Sequence, residues 1–313
     1  DHSRPVALVH VTYHVGSLNE SAGLTGIAHY VEHMVYRATQ NVRNEDVYGY
    51  IDRIGGRYTG GTWPDVTRYA ETVPSWALES ALRVTAERMT RALFDSLEFE
   101  RERSNVVTEA HGFAVTDPAN ALRDAVRMAA FELHPYRYSS NTWARDNLRL
   151  TRAQAYDWYR RDYGPNNAVL VVVGDVKTDS VRALVTKHFG PLERAPESGR
   201  IHIVEPPQRA EKRVFLSEPA DSARLEIVYH APSARHPASA ALRRFDDLFG
   251  AGIRDAARVA DSSVTATTHD TITAYPYLYR ISVSAAHRVD MAKVLAAIDA
   301  HLATFRGGGL ELV

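Results

Sequence analysis

The sequence predicts an α+β fold present in two copies, each a mostly antiparallel sheet backed by helices. Three observations carry this prediction. Short alternating apolar segments that suit strands interleave with longer stretches of helical periodicity. A breaker-rich stretch, Arg194-Ala195-Pro196-Glu197-Ser198-Gly199 and then Glu205-Pro206-Pro207-Gln208, interrupts the pattern about two thirds of the way along. After it, a strand, a turn and a helix follow in the order in which the chain began. The expected organisation is a first domain over residues 1–195, a linker over 196–212, and a second, incomplete copy over 213–313.

Taken in order, residues 6–15 alternate as a strand and 24–38 carry a helix. Asn44 is the expected N-cap of a helix reaching residue 54. Strands follow at 57–62 and 67–73, then helices at 75–91, 98–113, 118–131 and 151–163, a strand at 168–174 and a helix to 189. In the second copy the strand at 224–230 and the helix at 238–249 parallel the opening strand and helix. A last helix at 291–305 runs into Arg306-Gly307-Gly308-Gly309-Leu310, and Asp1-His2-Ser3-Arg4-Pro5 reads as a turn entering a strand, so truncation at both ends is expected.

At 313 residues, 45% hydrophobic and 24% charged, the chain is long enough for two separate cores. A net charge of −1 and the lack of any long Lys/Arg run exclude a general attraction to nucleic acid or anionic membrane. The longest apolar run, 168–173, is far too short to cross a bilayer and reads as one buried strand, so no transmembrane segment is expected. The chain has no cysteine, which rules out disulfides and thiolate sites and leaves nitrogen and oxygen as the available metal donors.

The run Gly26-Ile27-Ala28-His29-Tyr30-Val31-Glu32-His33-Met34 sets two histidines one helical turn apart with a glutamate beside the second. On a helix, residues i and i+4 share a face, so His29 and His33 can offer nitrogens to a single ion. Ile27, Val31, Met34 and Val35 claim the opposite face for burial. A catalytic zinc takes three protein ligands and keeps one position open. Glu109, 76 residues beyond His33 on a strongly helical segment, is a candidate third ligand, and Glu102 lies two turns earlier on the same face. Two imidazoles and one carboxylate leave zinc a residual positive charge that polarises a carbonyl and lowers the pKa of its water to about 7, while Glu32 is placed to act as base.

These residues resemble the pitrilysin and insulinase family of zinc metallopeptidases, whose H-x-x-E-H motif is followed by a distant glutamate ligand at about this separation, on a helix with a second glutamate two turns earlier. Gly55-Gly56-Arg57-Tyr58-Thr59-Gly60-Gly61-Thr62-Trp63-Pro64-Asp65-Val66-Thr67-Arg68-Tyr69 is similar to a second family segment, His134-Pro135-Tyr136 to a third, and Tyr163-Gly164-Pro165-Asn166-Asn167-Ala168 to a fourth.

The resemblance implies half of a clamshell-like peptidase chamber and zinc-dependent cleavage of peptides or small unfolded proteins. His29, His33 and Glu109 would be the ligands and Glu32 the base, and Glu102 would support a ligand or the water. The strand carrying Thr59 and Gly60 would bind extended substrate, with Gly60 standing where the family carries Ala. The family's second half usually supplies an Arg and a Tyr after a Gly-rich turn. Here the corresponding stretch, Gly250-Ala251-Gly252-Ile253-Arg254 and onward, is shortened and has no Tyr, which implies a homo- or heterodimer whose other subunit provides the pair. The second-copy helix offers Arg243-Arg244-Phe245-Asp246-Asp247 and no His pair. The alternative is a non-catalytic scaffold or peptide-binding subunit, and the compartment implied is a bacterial periplasm or cytoplasm.

Overall fold

The computed structural model describes residues 2–42, 47–138, 144–196, 199, 201–217, 222–271, 273–285 and 289–306. The expected cap Asn44 and the glycine run after residue 306 lie outside them. In chain order the elements are β1 (Val6–Tyr13), α1 (Ile27–Val35), α2 (Val47–Arg53), β2 (Arg57–Thr62), β3 (Thr67–Pro74), α3 (Leu78–Thr90), α4 (Ser96–Thr116), α5 (Pro118–Ala130), α6 (Ala144–Asn147), α7 (Arg152–Asp162), β4 (Ala168–Gly174), α8 (Thr178–Phe189), β5 (Ala223–Ala231), α9 (Ser239–Ala260), β6 (Thr265–Asp270), β7 (Tyr277–Ala285) and α10 (Met291–Arg306). They form two compact units, one of residues 1–115 and 133–205, the other of 116–132 and 206–313.

The first unit holds an antiparallel sheet in the order β2-β3-β1-β4. Alternation in β1 turns Ala7, Val9, Val11 and Tyr13 into the core, where each is at most 1% exposed. Helix α1 packs beside α7 and β2, and α3 packs on β1 and β3. The three further segments singled out in the sequence meet in this unit: Tyr69 and Tyr163 share a hydroxyl contact of 2.9 Å, and Tyr136 donates to Asp65 at 2.5 Å. The core also contains a buried ion pair, Arg88 with Glu71 at 2.5 Å, its guanidinium 4.6 Å from the Tyr69 ring centre.

Two expectations need correction here. Residues 168–173 are not buried on both faces: β4 is an edge strand, and Val169, Val171 and Val173 are each about half exposed because only one row of its side chains meets the core. The sequence division also assigns α5 to the first domain, whereas its packing on β5 groups it with the second unit. There Phe131, just past the helix, meets the rings of His230 and Tyr277, and Arg224 pairs with Asp117 at 3.2 Å.

The second unit repeats the first in outline. Its sheet runs β5-β7-β6, so the third strand again sits between the first and second, as β3 does between β1 and β2. Helices α9 and α10 close one face, bringing Ile253, Ala257, Val294 and Ile298 into one core with Ile281 and Val283. The Gly-rich turn expected near residue 250 is absent, since α9 continues through Gly250 and Gly252 to Ala260. Burial of Ile253 and Ala257 outweighs the roughly 1 kcal/mol that each helical glycine costs, and Gly252 lets the His301 ring approach where a Cβ would meet it at 2.4 Å. Among the described residues, no helix is long and apolar enough to cross a membrane.

Candidate metal centre

Helix α1 is anchored before its first turn. Gly26 sits at the N-cap with φ of 90°, a conformation that favours glycine, and a Cβ there would strike the Asn147 side chain at 2.2 Å. Glu20, itself buried, accepts from the backbone N–H of Gly26 at 2.9 Å and of Ala28 at 3.0 Å, satisfying two of the helix's orphan donors. Thr25 donates to Asp146 at 2.6 Å. Ile27, Val31, Met34 and Val35 are at most 1% exposed, each burial worth about 1.5–3 kcal/mol, which fixes the rotation of the helix.

That rotation turns His29 and His33 to one side, their Nε2 atoms 3.1 Å apart. Helix α4 brings Glu109 to them, with Oε2 at 3.6 Å from His29 Nε2 and 3.4 Å from His33 Nε2. All three donor atoms lie within 4.8 Å of one another. Donors about 2.0–2.1 Å from a tetrahedral zinc are separated by roughly 3.3 Å, so the set fits that ion. Among the described residues, no other group of three or more His, Asp or Glu converges in this way, and none in the second unit.

Glu102 lies behind His33, outside the cleft. Its Oε2 is 2.8 Å from His33 Nδ1, its Oε1 accepts from Arg37 and from Asn105 Nδ2 at 3.0 Å, and the residue is 1% exposed. It is not paired to its neighbours Arg101 and Arg103, which bind Glu98 and Glu100 instead. With Nδ1–H donating to Glu102, the Nε2 lone pair of the neutral imidazole is left facing Glu109 and His29, free to bind a metal.

Glu32 is buried, with Oε2 3.8 Å from His29 Nε2 and accepting from the Thr62 hydroxyl at 3.4 Å. Burial, reinforced by the charge of Glu109 and opposed by His33, raises its carboxyl to about 7. Burial and the neighbouring His33 lower His29 to about 4. For His33 burial opposes the charged form, but Glu102 and Glu109 win and raise it to about 9. The two histidines are therefore inequivalent.

The donor set opens into a cleft of about 460 Å³ whose other wall is the edge strand β2, including Thr59 and Gly60. Tyr58 and Trp63, both well exposed, flank the two glycines of that strand. The sequence reading missed Glu20, Tyr36, Arg37 and Thr62. Arg37 carries a usable signal, being one turn beyond His33, and Thr62 alternates with Gly60 along β2. Glu20 acts on backbone donors, which no side-chain pattern announces.

Residues 1–141 match the insulinase family, Peptidase family M16, and residues 149–311 match the Peptidase M16 inactive domain. The chain belongs to peptidase family M16. Zinc protease PqqE of Helicobacter pylori is 30% identical over 249 residues, covering 78% of this chain and 56% of that protein. The zinc protease ML0855 of Mycobacterium leprae is 33% identical over 186 residues, covering 59% of this chain and 41% of that one. The chain thus spans about half the length of these M16 relatives. Among solved structures, a protease from Helicobacter pylori superposes with a TM-score of 0.89 at 25% identity, covering 99% of this chain and 77% of the other. Pitrilysin superposes at 0.77 with 19% identity, covering 99% and 35%, a likeness of fold alone. The M16 match over the first part includes the whole donor set, while the part lacking such a set among its described residues matches the inactive domain.

Proposed function

We propose that this chain is a zinc-dependent metalloendopeptidase that hydrolyses peptide bonds in peptides or small unfolded proteins. The observation that carries the reading is the convergence of His29, His33 and Glu109 beside a buried carboxyl held near neutrality, on the wall opposite a sheet edge. His29 Nε2, His33 Nε2 and the Glu109 carboxylate would hold the zinc. When bound there, zinc supplies Lewis acidity, polarising the scissile carbonyl and acidifying water.

Glu32 takes the proton of the attacking water on its carboxylate and delivers it to the leaving amine nitrogen, a role its place beside His29 and the cleft suits. Glu102 holds His33 in the tautomer that directs Nε2 to the site. An extended peptide adds to the free edge of β2 through backbone hydrogen bonds, and Gly60 and Gly61 let it approach closely. Because α9 runs unbroken through the stretch where an Arg and Tyr would follow a turn, the working assembly is a homo- or heterodimer in which a second subunit supplies them.

Elemental analysis beside cleavage of an internally quenched peptide library tests the reading. One zinc per chain with cleavage abolished by chelation supports it. Zinc without cleavage, in the presence of candidate partner subunits, would move the assignment to a peptide-binding subunit, and no zinc at all to a scaffold.

A further inference from the structure

Tyr36 caps the C-terminus of α1, three residues past His33, and is 1% exposed. Its backbone is fixed on both sides, its N–H donating to His33 O at 3.2 Å and its carbonyl accepting from Val47 N at 2.8 Å. The ring is fixed as well: it stacks on Tyr48 at 4.3 Å and 15°, meets Tyr69 edge-on at 5.2 Å, and carries the Arg88 guanidinium 5.2 Å from its centre. From this seat the hydroxyl donates to the backbone carbonyl of Thr59, 3.0 Å away on β2.

The next residue on β2 is Gly60. A Cβ built there would lie 3.0 Å from Tyr36 Cε2, 3.1 Å from the Tyr36 hydroxyl and 3.0 Å from Glu32 Oε1. The strand, the tyrosine and the carboxyl of Glu32 therefore converge on one position, where a methyl group would fit only if these neighbours gave way by a few tenths of an ångström. The Thr59-Gly60 departure noted in the sequence, where similar segments carry Ala, has a physical counterpart in the buried hydroxyl opposite it.

We propose that Tyr36 is a positioning residue for the peptide-binding edge, setting β2 at a fixed offset from the helix that bears His29, Glu32 and His33, and that Gly60 is its steric counterpart. The inference rests on the peptidase reading for its consequence: a peptide paired to β2 is registered against Glu32 through the Tyr36 to Thr59 bond.

The test compares wild type with Tyr36→Phe, Gly60→Ala and the double variant, each as the full chain loaded with zinc. Loss of one buried hydrogen bond is expected to speed amide exchange across residues 57–62 about five- to tenfold. With the quenched peptide library, Tyr36→Phe is expected to raise KM about fivefold while kcat and zinc content stay within twofold of wild type. Gly60→Ala is expected to lower kcat/KM about tenfold, and the double variant to fall by less than the product of the two single effects, since the phenyl ring removes one of the three close contacts. Unchanged exchange at 57–62 in Tyr36→Phe, or strictly multiplicative effects in the double variant, overturns the proposal. If wild type cleaves no peptide even in the presence of candidate partner subunits, the peptidase reading fails by itself, and the exchange of the same four proteins still decides whether Tyr36 holds the strand and Gly60 makes room for it.

Discussion

His33 Nδ1 and Glu102 Oε2 lie 2.8 Å apart although 69 residues separate them in the chain. This contact joins the helix that carries His29 and His33 to the helix that carries Glu109. It also decides which nitrogen of His33 faces the cleft. Glu102→Ala is accordingly expected to weaken zinc binding about ten- to a hundredfold. Competition with a chromophoric chelator measures this, and wild-type affinity in the variant would remove Glu102 from the site's support.

Glu32 touches the site without belonging to the converging donor set. Glu32→Gln should retain stoichiometric zinc and lose about 10²–10⁴-fold in turnover, the usual worth of a positioned proton acceptor. Elemental analysis and peptide cleavage on the same sample read both halves. Substantial hydrolysis by the variant would assign the proton transfer to another group.

The pair Arg88 and Glu71 is at most 1% exposed and packed among tyrosines, one of which, Tyr36, reaches the cleft. Removing one partner strands a buried charge. Arg88→Met and Glu71→Leu should each destabilise the first unit by about 3–5 kcal/mol, whereas the double variant carrying both should cost less than the two changes summed. Urea unfolding of the four proteins measures the coupling, and additive losses would contradict it.

Burial raises the Glu20 carboxyl to about 8, against the pull of the Gly26 and Ala28 donors. Between its ordinary value near 4.5 and this raised value, the folded chain holds a proton that the unfolded chain releases. The contribution to stability is thus fully present below pH 4.5 and is lost as pH rises through about 8. Glu20→Gln cannot titrate, so between pH 5 and pH 8 its unfolding midpoint should fall less than that of wild type. Parallel curves would show that Glu20 ionises normally.

Much of this arrangement is legible in the residues. The apolar spacing of Ile27, Val31, Met34 and Val35 announces which side of α1 is buried and therefore where His29 and His33 point. Strands β2 and β4 fall at their expected limits because flanking glycine and proline mark both ends. What escapes the sequence depends on tertiary surroundings. Hydrophobicity alone cannot say whether Val169, Val171 and Val173 are covered on one face or two. Gly250 and Gly252 read as breakers, and only the packing of α9 against β6 and α10 reveals why the helix persists. The seat of α5 depends on which sheet reaches it first, a long-range matter that local patterns do not record. Glu20 and Tyr36 both address backbone atoms, so neither leaves a pairwise signature.

The donor set draws on α1 and α4, and His33 and Glu109 are 76 residues apart in a chain that has no cysteine. An ion held there would bind the folded first unit and not the unfolded chain, and so would stabilise that unit by mass action, by about 2.7 kcal/mol at a hundredfold excess over its Kd. It would do so reversibly. Chelation would then lower the stability of the first unit, so its lifetime in a metal-poor environment would depend on the same three side chains that converge at the cleft.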